Sequence, residues 1–341
     1  MIITRTPFRI SFFGGGTDYP VWYREHGGAV LSTSINKYCY ITVRHLPPLF
    51  PYNYRIRYYH QEEATRVSEI QHPSVRECLK FLEFSDTPIE MQHNADLPAM
   101  IGLGSSSSFT VGFLHALYAL RGTKVSKQQL AEEAIRIEQE RCRENVGSQD
   151  QAIAAFGGLN KIEFRRHGEI VVSPLPIIQE KINRLAEHCM LIYTGQSRVA
   201  SEIAGEQIKN TPAKNNELGL MRQMVDESIK ILTSEQDRFC DFGNLLHESW
   251  QIKRTLSSKI TNPIIDGIYE EARRAGAYGG KLLGAGGGGF LLLFVSPELQ
   301  QNVKEHFKKF IFIPFAFEQE GTQIIYHATD GGGNIPNSSI V

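Results

Sequence analysis

Residues 284–289 read Gly-Ala-Gly-Gly-Gly-Gly and run straight into the apolar stretch Phe290-Leu291-Leu292-Leu293-Phe294-Val295. Glycine loses more conformational freedom on folding than any other residue, so such a run is costly unless backbone must approach something closely. The letters satisfy Gly-x-Gly-x-x-Gly, but a dinucleotide-binding loop follows a strand and opens a helix. Here a strand follows the glycines. Lys281 to Val295 is therefore expected to form two strands around a glycine loop that leans over a ligand, and the dinucleotide fold is excluded.

A second small-residue segment lies earlier, Pro98-Ala99-Met100-Ile101-Gly102-Leu103-Gly104-Ser105-Ser106-Ser107-Ser108. After it, Phe109, Phe113, Leu117 and Leu120 recur at helical spacing, and Gly122 ends the pattern. Small residues let backbone approach a ligand, and the free N–H groups of a helix start attract an anion. Serine hydroxyls there can bond phosphate oxygens or Mg²⁺; a plain serine-rich helix cap is the other reading. No Gly-x4-Gly-Lys-Ser/Thr occurs, nor the His-Arg-Asp or Asp-Phe-Gly of a protein kinase. Any nucleotide here needs a different phosphate loop.

Three further clusters could carry chemistry. Arg9 is followed by Gly14-Gly15-Gly16-Thr17-Asp18-Tyr19, an acidic residue in a glycine-rich loop after a strand, suited to hydroxyl recognition. Ser126 with Gln129 three residues on makes a capping box, and the helix behind it has Ala131, Ala134, Ile135 and Cys142 on one stripe. Glu138 falls inside that stripe, whereas Arg136 and Glu140 do not, and an unpaired buried carboxylate needs a reason. Gly147-Ser148-Gln149-Asp150-Gln151 follows; Asp150 could accept a proton or merely cap a helix.

Elsewhere Phe8 to Phe13 and Tyr38 to Val43 read as strands, and three prolines keep residues 46–54 irregular. Ala200 to Arg274 is mainly helical, with Asn262-Pro263 reading as a cap followed by proline at the first helical position. A chain of 341 residues exceeds one ordinary core, so two domains are expected, 1–173 and 174–341.

The formal net charge of −1 carries no basic face for nucleic acid and no basic amphipathic stretch for a membrane surface. Five scattered cysteines without a Cys-x-x-Cys pair argue against a disulfide framework and against a zinc site. With no leader-like start and no apolar run long enough to span a bilayer, a cytoplasmic protein is expected.

Taken in order, these segments resemble the GHMP kinase superfamily, which includes galactokinase, homoserine kinase, mevalonate kinase and phosphomevalonate kinase. The resemblance runs along essentially the whole chain. It implies an α+β fold of two domains with the ATP site between them. The segment at 98–106 looks like the family's phosphate loop and 281–289 like its third motif. ATP would then meet Gly102, Gly104, Ser105, Ser106, Ser107 and Ser108 on one side and Gly284, Gly286 and Gly287 on the other. Ser106 and Glu138 look like Mg²⁺ ligands, Asp150 like the residue that takes or orients the acceptor proton, and Arg9 like its charge-stabilising partner.

Within the superfamily, Arg5 to Pro20, Thr194-Gly195 with Arg198, and Trp250 with Lys253 resemble most the branch that phosphorylates the anomeric hydroxyl of D-glycero-D-manno-heptose 7-phosphate. Galactokinases carry Glu-His where Gly15-Gly16 stand, so two glycines leave room for a larger sugar. Gly15, Gly16, Thr17 and Asp18 are expected to contact that sugar, with Arg198 and Lys253 as basic partners for its phosphate. A kinase of free fucose or galactose, or a silent sugar or nucleotide sensor, are the alternatives. Arg143 departs from the family, which usually has glycine there. A homodimer is compatible with the resemblance, and Leu46 to Tyr54 is a candidate lid.

Overall fold

In the computed structural model, residues 1–99, 101–196 and 200–328 are described. The two early strands are longer than their apolar cores suggest. Phe8 to Phe13 is the buried end of β1 (Ile2–Phe13), and Tyr38 to Val43 lies inside β2 (Gly28–His45). They pair antiparallel from Ile2 opposite Val43 to Phe13 opposite Leu31. Pro7 to Phe13 are all buried, as expected of a strand covered on both faces.

This pair carries the larger sheet, with β3 (Tyr54–Arg57), β4 (Gln61–Ala64), β5 (Ile89–Ala95), β6 (Leu159–Phe164) and β7 (Ile170–Pro174). A smaller antiparallel sheet has the order β11-β8-β10-β9, from β8 (Cys189–Tyr193), β9 (Gly279–Leu282), β10 (Phe290–Phe294) and β11 (Ile311–Ile313). The chain then returns: β12 (Phe317–Glu318) pairs with β2 and β13 (Gln323–His327) with β1. The expected division at 173/174 therefore needs correction at the far end, because residues 317–327 join the first sheet.

Eleven α-helices among the described residues cover and connect the sheets. Those of the first half are α1 (Pro20–His26), α2 (Pro73–Phe81), α3 (Ser105–Leu120), α4 (Lys127–Arg136) and α5 (Gln149–Phe156). The second half has α6 (Gln179–Glu187), α7 (Ala200–Asn210), α8 (Asn215–Thr233), α9 (Phe239–Arg254), α10 (Pro263–Arg274) and α11 (Gln300–His306). The expected caps are present: Ser126 Oγ accepts from Gln129 N at 3.1 Å, and Asn262 Oδ1 from Ile264 N and Ile265 N at 3.0 and 3.1 Å.

One element departs from the sequence pattern. Instead of stopping, α4 runs on through Ile137–Arg141 as a π-helical turn, a widening that recurs at functional sites. Arg143, just beyond, adopts φ 56°, a left-handed conformation that glycine takes without steric cost. No helix of the described residues is long and apolar enough to cross a membrane. All five cysteines are free thiols.

Candidate active site

The buried end of β1, the start of α3 and the start of α5 converge with α7, α9 and the β9–β10 loop around a cavity of about 540 Å³. It is the groove between the two sheets. The phosphate-loop candidate forms one wall. Gly104, at φ 75°, turns the chain into α3, so that Ser105 and Ser106 face the cavity. Arg9 braces this loop from beneath: its backbone N donates to Leu103 O at 3.1 Å and its Nη1 to Gly102 O at 2.6 Å.

The two glycine-rich loops of the sequence touch one another. Phe290 N donates to Ile101 O, and a Cβ on Gly284 would stand 2.7 Å from Gly102 Cα, closer than side-chain carbons come. Gly284, at φ 77°, also occupies the left-handed region. The glycine loop thus leans on the phosphate loop, and Gly284 and Ala285 share the cavity wall. Gly286 and Gly287 do not. Both lie against Ile260, whose carbonyl accepts from Gly287 N, which corrects their expected place beside the nucleotide.

The serine run divides by direction. Ser107 Oγ donates to Glu138 Oε2 at 2.8 Å, and Gln151 Nε2 donates to the same oxygen at 2.5 Å. Ser108 Oγ donates to Pro7 O, tying α3 to β1 and away from the cavity, so its expected role at the nucleotide is corrected to a structural one. Glu138 is fully buried, and its Oε1 has no hydrogen-bond partner. Burial pushes its carboxyl up to about 7, against the hydrogen bonds that favour the charged form. Glu138 does not itself line the cavity, but a buried carboxylate with one oxygen unpaired, bonded to the hydroxyl of the cavity-lining Ser107, is a donor that fits a hard dication. Ser106, the expected second ligand, faces the cavity, while Ser107 is the serine that bonds Glu138.

Arg9 and Asp150 meet on the cavity floor. Arg9 Nε and Nη2 donate to Asp150 Oδ1 and Oδ2 at 2.8 and 2.7 Å, a bidentate pair that fixes both planes. Asp150 sits in the first turn of α5, where the helix dipole favours a carboxylate. Asp18 lies beside them, wholly buried, with Oδ1 accepting from Gly16 N and Oδ2 from Gln149 Nε2 at 2.8 and 3.0 Å. Burial raises its carboxyl above the usual range. Gly147 packs directly against this carboxylate and leaves no room for a Cβ.

Gly15 and Gly16 line the cavity. Thr17 does not: its hydroxyl donates to Gly14 O and Ala29 O and holds the loop's shape, so its expected sugar contact is corrected. Arg198 lies outside the described residues. Lys253 is buried at the cavity edge, with Nζ donating to Gly15 O at 3.2 Å and to Gln207 Oε1 at 2.9 Å.

Sequence reasoning missed a second buried lysine there, Lys281, whose Nζ donates to Phe12 O at 3.0 Å. Burial lowers Lys253 to about 8 and Lys281 to about 7, with Asp18 opposing both shifts. The signal was available: a lysine stands inside the short strand that leads into the glycine loop. Also unforeseen is a ring-lined wall of Tyr58, Tyr59, His72, His93 and Phe109, with His72 stacked on Phe109 at 4.8 Å. Among the described residues, none of 46–54 lines the cavity, whereas Tyr58 and Tyr59 do, which corrects the expectation of a lid at 46–54.

Known proteins share this fold. Residues 73–158 match the GHMP kinases N terminal domain and residues 234–311 the GHMP kinases C terminal domain. The chain is 29% identical over 337 residues to the D-glycero-alpha-D-manno-heptose 7-phosphate kinase of Campylobacter jejuni, covering 94% of this chain and 98% of that protein. It is 24% identical over 333 residues to the bifunctional fucokinase/GDP-fucose pyrophosphorylase of Arabidopsis thaliana, covering 88% of this chain and 31% of that longer protein. The crystal structure of a D-glycero-D-manno-heptose 1-phosphate kinase from Bacteroides thetaiotaomicron shares the fold at TM-score 0.77 and 22% identity, covering 96% of this chain and 100% of that one. With both halves matched and the phosphate loop, the glycine loop, Asp18 and Asp150 meeting at one cavity, the chain belongs to the GHMP kinases, phosphotransferases that draw their phosphoryl group from ATP.

Proposed function

We propose that this protein is a sugar kinase that transfers the γ-phosphoryl of ATP to the anomeric hydroxyl of D-glycero-D-manno-heptose 7-phosphate, giving the 1,7-bisphosphate. The observation that carries the reading is the bidentate Arg9–Asp150 pair, set where the serine-lined phosphate loop meets a glycine-floored pocket with two buried lysines. The full-length match to a heptose 7-phosphate kinase supports the choice of sugar. In this reading the first half, whose sheet β12 and β13 complete, carries the phosphate loop and the reacting groups, and the second half carries the glycine loop and the basic substrate contacts.

Phosphoryl transfer asks little covalent work of protein, so positioning and electrostatics dominate. Asp150 orients the acceptor hydroxyl and takes its proton. Arg9 holds that carboxylate in place and stabilises charge on the transferring group. Ser105, Ser106 and the backbone at the start of α3 hold phosphate oxygens, and the ring-lined wall with Phe109 offers an apolar slot for a purine. Glu138 and Ser106 would hold Mg²⁺, which when bound neutralises phosphate charge; Ser107 and Gln151 keep the Glu138 carboxylate aimed. Gly15, Gly16 and Asp18 shape the sugar pocket, and Lys253 supplies a cation for the sugar's phosphate.

The test is an ADP-release assay over free hexoses, free heptoses and their terminal phosphates. Turnover of heptose 7-phosphate well above the free sugars supports the reading. Turnover of galactose or fucose without heptose 7-phosphate overturns the substrate, and no ADP release with any sugar, against a silent background, leaves a sensor as the better account.

A further inference from the structure

Two polar atoms beside the Arg9–Asp150 pair have nothing to bond. Ser11 Oγ and Gln149 Oε1 are closed off from solvent without any hydrogen-bond partner, on side chains only 5% and 9% exposed. Both residues line the cavity. Leaving a buried polar atom unpaired costs on the order of 1–3 kcal/mol, and native chains keep few of them.

Their positions relate them to the reacting groups. Ser11 lies two residues beyond Arg9 on β1, on the same face of the strand. Gln149 immediately precedes Asp150 at the start of α5. Ser11 and Gln149 therefore flank the Arg9–Asp150 pair, one two residues beyond Arg9 on β1 and the other one residue before Asp150 on α5. They also converge: a Cβ placed on Gly15 would lie 3.9 Å from Ser11 Oγ and 3.8 Å from Gln149 Nε2. The missing side chain of Gly15 leaves both residues facing one small space.

The amide of Gln149 is oriented from behind. Its Nε2 donates to Asp18 Oδ2 at 3.0 Å, which leaves Oε1 to act as an acceptor. Ser11 Oγ can donate or accept. An acceptor beside a donor–acceptor suits a group that does both, which is a hydroxyl. A phosphate or carboxylate oxygen would leave Gln149 Oε1 unpaired and repelled, and a methylene would leave both atoms unpaired.

We propose that Ser11 and Gln149 form a specificity subsite for the sugar hydroxyl on the carbon next to the one phosphorylated. It rests on the reading of Arg9 and Asp150 as the pair at the reacting hydroxyl. With an anomeric acceptor the neighbouring group is the 2-hydroxyl. The subsite requires it and rejects the 2-deoxy sugar.

The experiment takes as reference whichever sugar the wild type phosphorylates, together with its analogue lacking the neighbouring hydroxyl. Steady-state kinetics are compared for the wild type, Ser11→Ala and Gln149→Met. The wild type is expected to lose about 100-fold in kcat/KM on removal of that hydroxyl, and each variant about 10-fold on the intact sugar. The discrimination between the two sugars should shrink by the same factor in each variant, with the KM for ATP held within about two-fold.

A merely structural role would lower turnover of both sugars equally, and that result, or a wild type indifferent to the hydroxyl, overturns the subsite. Ser11→Ala removes one oxygen without touching Asp18, so it decides the question if Gln149→Met does not fold. If the reference sugar proves to be a free hexose, the heptose 7-phosphate reading fails while this comparison proceeds with that hexose.

Discussion

At the scale of single residues the site is a set of buried charges, each with a reason to be there. Asp150→Asn keeps the shape of the side chain but removes the carboxylate that Arg9 grips. It should lower kcat by about 10²–10⁴-fold while ATP still binds, checked by turnover beside nucleotide titration; unchanged turnover removes Asp150 from the reaction. Lys281 makes a prediction about stability. Between about pH 7 and the ordinary lysine range near 10.5 the unfolded chain holds a proton that the buried ammonium has lost. Raising the pH through that window therefore favours the folded state, and below it the burial penalty is felt in full. Lys281→Met should flatten the rise, narrowing the gain in unfolding free energy between pH 7 and 9 by up to roughly 3 kcal/mol in urea titrations. Which of these residues the sequence could reveal follows from what a sequence contains. Arg9, Glu138 and Asp150 stood out because charge sat among glycines or on an apolar stripe. Ser108 and Thr17 could not be told from their neighbours, since a hydroxyl's direction depends on carbonyls far along the chain, Pro7 and Ala29. Ser11 and Gln149 were invisible for the same reason, as an unpaired atom is a property of packing.

At the scale of elements, periodicity located the helices and strands well and their ends less well. The caps at Ser126 and Asn262 were legible because side-chain capping is local chemistry. The π-turn at 137–141 was not, because nothing local demands it; it widens the helix where Glu138 must reach Ser107 and Gln151. The glycine loop between β9 and β10 was read as leaning over a ligand, and part of its glycine content answers instead to contact with another loop. Gly284→Ala tests that contact, since the new methyl group would press on Gly102 at a positive φ. The expected cost is about 1–3 kcal/mol, read as a fall in melting temperature, with a raised KM for ATP because the phosphate loop must shift. A variant with wild-type melting and ATP affinity would show that the loops yield independently.

At the scale of the molecule, the return of residues 317–327 to the first sheet is the feature that composition and motifs hid. Strands of two and five residues carry no strong periodic signal. Their anchors are tertiary: Thr322 Oγ1 meets Thr6 Oγ1 at 2.8 Å, and Ser34 Oγ donates to Glu318 O at 2.7 Å. A chain ended after Pro314 should lose cooperative thermal unfolding rather than merely lose activity, because β1 and β2 would be left with open edges in the core of the larger sheet. Retention of a sharp transition would show those strands to be dispensable. The same return has a mechanical meaning. The backbone crosses between the sheets twice, once after Pro174 and again after Ile313, and the cavity lies in the seam they bridge. A single tether would let one half swivel freely on the other. Two tethers, with Phe290 N hydrogen-bonded to Ile101 O across the seam, leave the halves no such free swivel, so the cavity walls are held in register by the course of the chain as well as by their contacts.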